Sequence, residues 1–250
     1  MPDSNVLTMV DGGCVQLLHG YTVKEHSMYC SRILVPIDGL LEISTSRNGL
    51  RSRRPVVVGS DTSVYIHSPG SVVSIHLAPD AQPGASVYGF AGQRAVETSG
   101  RLYERLCSIV REGGLLLDDS AAAAGVLSES AACFDAVKPD FTEPVRKVLD
   151  LVTTCEGGEL TVDFMASRIG VKKDSLSSLF KQQLGTTLSR YLLNQRTRRA
   201  FSQIATSRDL LSSSTDAGFS DQSHLTRTTR LLSGRTPGQV RENCRMSFVD

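Results

Sequence analysis

The sequence predicts an α+β protein of two domains, a β-barrel domain that ends in helices over residues 1–138 and an all-α domain over residues 139–250. Short β-branched segments separated by turn residues dominate the first half, whereas the apolar residues of the second half recur at helical spacing. The segment AVKPDFTEP, which holds two prolines, separates the two patterns. An apolar content of 40% over 250 residues is enough for a substantial buried core.

Six segments between about Ser31 and Phe90 predict the strands of a barrel or a sandwich. The turn residues between them are PIDG, SRNG, SPGS and PDAQPG. A spacing of about ten residues between such strands is typical of these folds. The six segments are RILVPI, GLLEIST, PVVVG, SVYIHS, SVVSIHLA and SVYGF.

From about Arg101 the apolar period becomes helical. A first helix that Gly113 and Gly114 end carries one apolar stripe, and an alanine-rich helix follows from about Asp119 to Phe134. The stripe fits either a homodimer seam or packing against the barrel. Its residues are Leu102, Leu106, Ile109 and Val110.

The all-α domain is predicted to begin with two short helices joined by a turn. Thr161 can cap the first helix, which ends at Gly170. The second helix opens at Lys172 or Asp174 and ends at Gly185. Two helices joined in this way form a helix-turn-helix unit.

A longer helix over about residues 188–205 separates this unit from a second one. Asp209 can cap the next helix, Gly218 lies at the turn, and a helix opened by Asp221 ends at Gly234. The sequence therefore predicts two helix-turn-helix units on either side of a connecting helix.

Charge is unequally divided between the two halves of the chain. Residues 1–140 hold 11 Lys and Arg against 15 Asp and Glu, a net charge of −4, and residues 141–250 hold 16 against 11, a net charge of +5. A positive helical half suits a polyanion such as DNA.

The sequence lacks the signatures of several classes of protein. Without an apolar run of about 18 residues or a signal-peptide pattern, we expect a soluble cytoplasmic protein that does not enter the membrane. Without a phosphate-binding loop, a nucleophile elbow or paired carboxylates, we expect neither an enzyme nor a cofactor. The six scattered cysteines are expected to be free thiols.

About fifteen residues at fixed spacing between positions 160 and 241 resemble the DNA-binding domain of the AraC/XylS family of bacterial transcription regulators. They include GFSDQS at 218–223 and TPGQVR at 236–241. Residues 1–135 resemble the cupin-like sensory domain of that family more loosely. The other matching residues are Ala166, Ile169, Gly170, Leu176, Phe180, Lys181, Gly185, Tyr191, Arg196, Ala200 and Leu225.

The resemblance implies an effector-responsive, sequence-specific regulator that binds double-stranded DNA as a homodimer and activates transcription by contacting RNA polymerase. Its two recognition helices would lie about 34 Å apart, in successive turns of the major groove. A small-molecule effector would bind the cupin-like domain. The alternative is a protein-interaction regulator whose degenerate DNA-binding domain no longer reads sequence.

The helix from Asp221 is expected to bury Leu225 and Leu232 against its partner helix and to turn a polar face outward. Gln and Arg can bond to adenine and guanine edges, while Ser, Thr and a more distant Arg suit phosphates. An ordinary solvated helix face is the plainer interpretation. The predicted DNA contacts of this helix are Gln222, Ser223, His224, Thr226, Arg227 and Arg230. Those of the first unit are Lys172, Lys173, Asp174, Ser177, Ser178 and Lys181.

The second unit departs from the family pattern in its core. Ser213 and Ser214 stand where small apolar residues are usual, and Thr229 and Ser233 stand where aromatic residues are usual. Each lost aromatic burial costs about 1.5–3 kcal/mol. We therefore expect the second unit to be soft in the absence of DNA.

Two sets of side chains in the first half are candidate ligand sites. Four clustered arginines suit phosphate or carboxylate, so they predict either an anionic effector or an exposed cationic loop. Cupin barrels often bind a metal through clustered histidines, but the histidine spacing here, with no H-x-H pair, predicts no metal site. The arginines are Arg47, Arg51, Arg53 and Arg54, and the histidines are His19, His26, His67 and His76.

Overall fold

The computed structural model of the protein describes residues 5–10, 12–46, 49–113, 119–135, 140–205, 209–233 and 236–248. In these ranges, an amino-terminal domain of eight strands and three helices is followed by a carboxyl-terminal domain of seven helices, and a ninth strand joins the first sheet. The predicted α+β class with two domains is confirmed. The expected domain boundary, between residues 138 and 139, lies outside the described residues.

The strands form one sheet in the order β8-β6-β3-β7-β2-β1-β9, with β4 paired to β7 and β5 paired to β4. All pairs are antiparallel except β1 with β9, which is parallel. The strands are β1 Asn5–Val10, β2 Gly13–Ser27, β3 Ser31–Pro36, β4 Leu41–Thr45, β5 Gly49–Ser52, β6 Val56–Val58, β7 Ser63–Leu77, β8 Ala95–Glu97 and β9 Cys244–Phe248.

Ten α-helices and a short 3-10 helix, Gly157–Glu159, complete the fold in the described part of the chain. The first three belong to the amino-terminal domain, and α5 with α6 and α8 with α9 form the two predicted helix-turn-helix units. The helices are α1 Gln82–Ala91, α2 Gly100–Gly113, α3 Ser120–Ala131, α4 Glu143–Thr154, α5 Val162–Ile169, α6 Lys173–Leu184, α7 Leu188–Ala205, α8 Leu210–Asp216, α9 Gln222–Ser233 and α10 Pro237–Asn243.

Both sides of the sheet are buried, because side chains alternate along each strand. On β3, Ile33 and Val35 belong to the core beneath α1, α2 and α3. Leu34, which points to the other side, packs with Leu18 and Ile43 inside the barrel. The inner side therefore contains a separate apolar core that the helices do not reach.

Two predicted elements of this domain are wrong. SVYGF is not a strand but part of α1, since a proline in the first turn of that helix favours helical φ and Val87 is buried against the sheet. SPGS is not a turn either, because β7 continues through it. Residues 64–67 of β7 pair with β4 and residues 72–77 pair with β3, so Pro69 and Gly70 lie where the strand changes partner.

The apolar stripe of α2 packs within its own domain, which is the second arrangement that the sequence allowed. Leu106, Ile109 and Val110 are buried in the core beneath the sheet, and Leu102 is half-buried against it. These side chains are therefore not free to form a seam with a second copy.

The first helix-turn-helix unit forms where its sequence predicts. Thr161 Oγ1 accepts a hydrogen bond from the Phe164 amide at 3.1 Å and caps α5, and Gly170 ends that helix in the left-handed conformation. The core of this unit includes Met165, Leu176 and Phe180.

The second unit has a much smaller core. Its buried apolar residues are Ala200, Ile204, Ala217, Phe219 and Leu225. Fully buried hydroxyl side chains adjoin this core, namely Ser213, Ser214 and Thr229. The polar substitutions noted in the sequence therefore lie in the interior of the second unit.

Gly170 and Gly218 offer a matched test of how tightly the second turn packs. Both have φ near +80°, but a Cβ at Gly218 would collide with the backbone of Gly157, while a Cβ at Gly170 would meet nothing within 4 Å. Gly170→Ala should cost about 1–2 kcal/mol for the left-handed backbone, and Gly218→Ala about 1–3 kcal/mol more for the collision. Thermal unfolding followed by circular dichroism measures both losses, and equal losses would contradict the close packing of this turn.

Candidate nucleic-acid interface and interdomain cavity

The turn before α9 determines where that helix begins. The Phe219 amide donates to Ser214 O at 2.9 Å, and the Phe219 ring is buried in the unit's core. Asp221 Oδ1 accepts from the His224 amide at 2.7 Å, and this cap lowers the pKa of the carboxyl group. The segment GFSD therefore contains Gly218 at the turn, Phe219 in the core of the unit and Asp221 as the helix cap.

The outer face of α9 presents four of the six predicted contacts to solvent. Gln222, Ser223, Arg227 and Arg230 are exposed. Among the described residues, neither arginine forms a salt bridge. Their guanidinium groups are available for a polyanion.

The other two predicted contacts of α9, His224 and Thr226, are half-buried. The His224 ring packs edge-on against Phe219 at 5.2 Å, and its Nδ1 lies 3.2 Å from Ser220 Oγ. Thr226 Oγ1 donates to Gln222 O at 2.9 Å. Both side chains stabilise the helix and its turn locally.

The inner face of α9 is buried against two different partners. Leu225 packs in the core of the second unit, as expected. Thr229 and Leu232 instead line a cavity that faces the amino-terminal domain. Leu232 was expected to pack on the partner helix, and its place on the cavity wall is a consequence of the docking of α9 beside β2.

The predicted contacts of the first unit lie on and beside α6. Lys172, at the helix N-cap, and Lys181 are exposed, whereas Lys173 Nζ lies 2.8 Å from Asp163 Oδ1. Ser178 and Asp174 are exposed, and Ser177 is half-buried. This face therefore has fewer long donors than the face of α9.

The first unit is fastened to the amino-terminal domain through α7. Arg190 Nη1 lies 2.7 Å from Asp61 Oδ1, and the Tyr191 hydroxyl donates to Asp80 Oδ2 at 2.6 Å. Tyr29 and Cys30 of the amino-terminal domain belong to the core of this unit. Apolar burial and charge-assisted hydrogen bonds thus join the two bodies.

A cavity of about 110 Å³ lies between the barrel and the second unit. Its apolar wall includes Leu7 and Met9 of β1 and Phe201 of α7, and its polar wall includes Asn194 and Arg198. Arg198 also hydrogen-bonds to Tyr29. The cavity combines apolar surface with a few polar groups, as small-molecule sites do.

Arg32, which was not among the predicted site residues, lies inside the barrel at 1% exposure. Its Nη1 lies 2.9 Å from His26 Nε2 and the guanidinium also hydrogen-bonds to Tyr21, whereas Nε and Nη2 have no hydrogen-bond partner. In the described part of the chain no carboxylate forms a salt bridge with Arg32. The sequence does indicate this burial. Arg32 lies in the apolar segment RILVPI, and both sides of a strand formed by that segment are expected to be buried.

Two histidines beside Arg32 are buried in the neutral form. Burial, reinforced by the Arg32 charge, lowers the pKa of His26 and of His76 to about 3 each. His76 lies 2.9 Å from Ser74 Oγ and 3.8 Å from Cys30 Sγ, and it also lines the cavity. Burial raises the pKa of the Cys30 thiol to about 12. The guanidinium is therefore the charged group of this cluster.

The predicted arginine site lies on an exposed loop and its flanking strand. Arg51 pairs with Glu42, and Arg54 lies 3.8 Å from Glu97 and stacks over Tyr103. Arg53 is exposed, and Arg47 lies outside the described residues. Carboxylates thus already neutralise two of these charges.

The other histidines form ordinary polar contacts. His19 Nδ1 lies 2.9 Å from Ser71 Oγ, and His67 Nδ1 lies 2.7 Å from Thr22 Oγ1. Among the described residues, no three His, Cys, Asp or Glu side chains are grouped closely enough to hold a metal ion. Five of the six cysteines, all in those ranges, are free thiols.

Residues 165–243 match a family model described as a helix-turn-helix domain. A transcriptional regulator from Chromobacterium violaceum with an AraC-type DNA-binding domain is 31% identical over 40% of this chain and 89% of its own, with a TM-score of 0.37. Among curated proteins none matches the sequence. By its carboxyl-terminal domain the chain belongs to the AraC/XylS family. The resemblance inferred from the sequence is confirmed.

Two structures of ToxT from Vibrio cholerae are similar to this chain over both domains. The apo form of a point variant has a TM-score of 0.60 and 11% identity, covering 94% of this chain and 99% of its own. The form bound to an unsaturated fatty acid has a TM-score of 0.60 and 10% identity, covering 96% of each chain. This likeness establishes the two-domain fold. Within the described ranges, no helix has the length and hydropathy needed to span a membrane.

Acid should destabilise the protein through the buried histidines. The pKa of His76 is lower in the folded chain, about 3, than the 6.5 of an exposed histidine, so protons bind the unfolded chain preferentially below pH 6.5. At pH 5 this linkage removes about 2 kcal/mol of stability per histidine. We expect His76→Gln to lose less stability than the natural protein between pH 7.5 and 5 in urea denaturation. Identical losses would show that His76 does not carry this pH dependence.

Proposed function

We propose that the protein is an effector-responsive, sequence-specific DNA-binding transcription regulator in which α9 reads bases. The observation that carries the proposal is the exposed row Gln222, Ser223, Arg227 and Arg230 on a helix whose opposite face is buried. A helix held in this way in a helix-turn-helix unit enters the major groove with its polar face towards the bases.

The two units are proposed to contribute differently. The amide of Gln222 and the guanidinium of Arg227 can each form paired hydrogen bonds to a base edge. On α6, Lys172 and Lys181 can neutralise phosphates, while Ser178 reaches a single acceptor at most. We therefore assign most of the sequence readout to the second unit and salt-dependent affinity to the first.

The effector is proposed to be a small molecule with an apolar body and a carboxylate, bound in the cavity between the barrel and α9. The buried guanidinium of Arg32 has no carboxylate partner among the described residues and interacts with Tyr21 and Cys30, which line the cavity, so it favours a negative charge nearby. Arg198 places a cation on the cavity wall itself. ToxT, which shares the fold, has been crystallised with an unsaturated fatty acid.

The remaining roles follow the family resemblance. We propose that the protein acts in the cytoplasm as a homodimer and activates transcription through RNA polymerase. Since three residues of the α2 stripe are buried in their own chain, a dimer contact has to use other surfaces of the protein.

A protein-interaction role is the second candidate. It is favoured by two exposed leucines on the second unit, Leu211 at 60% and Leu231 at 59% exposure. Selection of bound DNA from a random pool by the full chain separates the two functions. Enrichment of a defined sequence supports the regulator, and retention of no sequence above background supports the interaction protein.

Arg227→Ala and Arg230→Ala should weaken DNA binding in different ways. Arg227 lies one turn beyond Ser223 on the exposed face, so it is expected to bond a base edge, and its loss should cost about 1–3 kcal/mol and relax the preference at one position. Arg230 is expected to meet phosphate, and its loss should weaken all sequences alike and lower the salt slope by about one. Binding to the selected site, to its single-base variants and to random DNA over a range of salt measures both. If Arg227→Ala weakens all DNA by one factor, α9 is not the base reader.

Arg32→Met should abolish the response to carboxylates without destabilising the fold. Replacing a buried charge that has no carboxylate partner by an apolar side chain of similar length removes its desolvation cost, which offsets the loss of the hydrogen bonds to His26 and Tyr21. Oleate and octanoate are expected to raise the Tm of the natural protein and of the control Arg53→Met, which alters the exposed loop. If Arg32→Met responds like the natural protein, Arg32 does not bind the carboxylate. If Arg53→Met loses the response, the carboxylate binds at the arginine loop instead.

A further inference from the structure

We propose that the cavity controls the second helix-turn-helix unit alone, so that an effector fixes the position of α9 and leaves the first unit unchanged. This inference rests on the proposed function for the identity of the cavity as the effector site. It concerns how occupancy of that site reaches DNA.

Tyr29 and Cys30, which belong to the core of the first unit, also line the cavity, but two further contacts join this unit to the amino-terminal domain away from it. The ion pair of Arg190 with Asp61 is only partly exposed, with side chains at 25% and 10%. The ring of Tyr88 on α1 lies against Gly185 at the end of α6, where a Cβ would leave no room. Because none of these four residues lines the cavity, we infer that filling it leaves the two contacts in place and that α5 and α6 stay attached to the barrel.

The second unit has a smaller apolar core than the first and fewer contacts that fix its position. Its core has five buried apolar residues, whereas the core of the first unit also takes in Tyr29 and Cys30 of the barrel. The buried Ser213 hydroxyl has no hydrogen-bond partner. Ser214 Oγ and Thr229 Oγ1 donate to carbonyls four residues earlier in their own helices, which does not join one helix to another. Such a unit depends on packing from outside.

For α9, this outside packing is provided by residues of β1 on the other side of the cavity. Thr229 and Leu232 form its α9 wall, and Leu7 and Met9 of β1 line the cavity with them. A void deprives its lining of contacts, and a molecule that fills it restores them. A ligand that binds only when α9 is docked must stabilise the docked position, by thermodynamic linkage.

The docked position is compatible with reading DNA. With Thr229 and Leu232 turned towards the barrel, Arg227 and Arg230 remain exposed on another face of α9, and Gln222 is exposed at the first residue of the helix. An occupied cavity therefore pre-organises the reading helix, which reduces the ordering cost of binding. The expected sign is tighter sequence-specific binding when the cavity is filled.

Cavity-filling substitutions test this coupling without an identified effector. Thr229→Met and Gln16→Met each place a flexible apolar side chain into the cavity, from α9 and from β2 respectively. Leu232→Ala enlarges the cavity. Hydrogen exchange of the full chain, measured without DNA, compares residues 222–233 with residues 173–184. We expect about tenfold slower exchange of α9 in at least one filled variant and faster exchange in Leu232→Ala, with α6 unchanged.

The outcomes separate the inference from the proposed function. If α6 changes as much as α9, or if no filled variant slows α9, the coupling to the second unit is refuted even where selective DNA binding is found. If α9 responds and α6 does not, the coupling stands even where no DNA sequence is selected, in which case the proposed function fails instead. In a DNA-selective protein the filled variant should bind the selected site more tightly, and weaker binding would overturn the expected sign.

Discussion

Helix α7 has to satisfy three environments at once, and the arrangement of the molecule depends on it. Its first half is buried in the first helix-turn-helix unit and its second half in the second. A third stripe, at the i, i+3, i+4, i+7 spacing of one helix face, lines the cavity under the barrel. A rotation of α7 would disturb both units and the cavity together. The stripe consists of Asn194, Thr197, Arg198 and Phe201.

Local patterns predicted the elements that local interactions decide. The caps Thr161 and Asp209 and the helix-ending Gly170 behave as their sequence context indicated, because each satisfies backbone groups of its own helix. SVYGF could not be assigned from its composition, since a short apolar run suits a strand or a buried helix equally well. Pairing of β9 with β1 links segments more than 230 residues apart, and no local pattern encodes such a partner.

The candidate site was predictable on one side of α9 only. The outward polar residues could be predicted from the position of the buried Leu225 and its neighbours. The cavity could not be predicted, because its polar lining residues are typical of a solvated helix face. Arginines illustrate the same limit. Arg51 and Arg54 cluster in the sequence yet are paired with carboxylates, while the isolated Arg32 is buried and, among the described residues, has no carboxylate partner. Which charge is neutralised depends on tertiary neighbours.

The two helix-turn-helix units share a pattern but differ in how they are stabilised. Hydroxyls at Ser213, Ser214 and Thr229 would be defects in a unit that had to fold alone, since each occupies interior space without apolar contact to offer. In this chain the same positions lie on a unit that also contacts the barrel, and Thr229 itself forms part of the shared wall. A reading helix with a large core of its own would hold one position whatever the barrel did. A reading helix with a small core takes part of its order from the barrel, and this dependence physically connects the sensory domain to the DNA-facing surface.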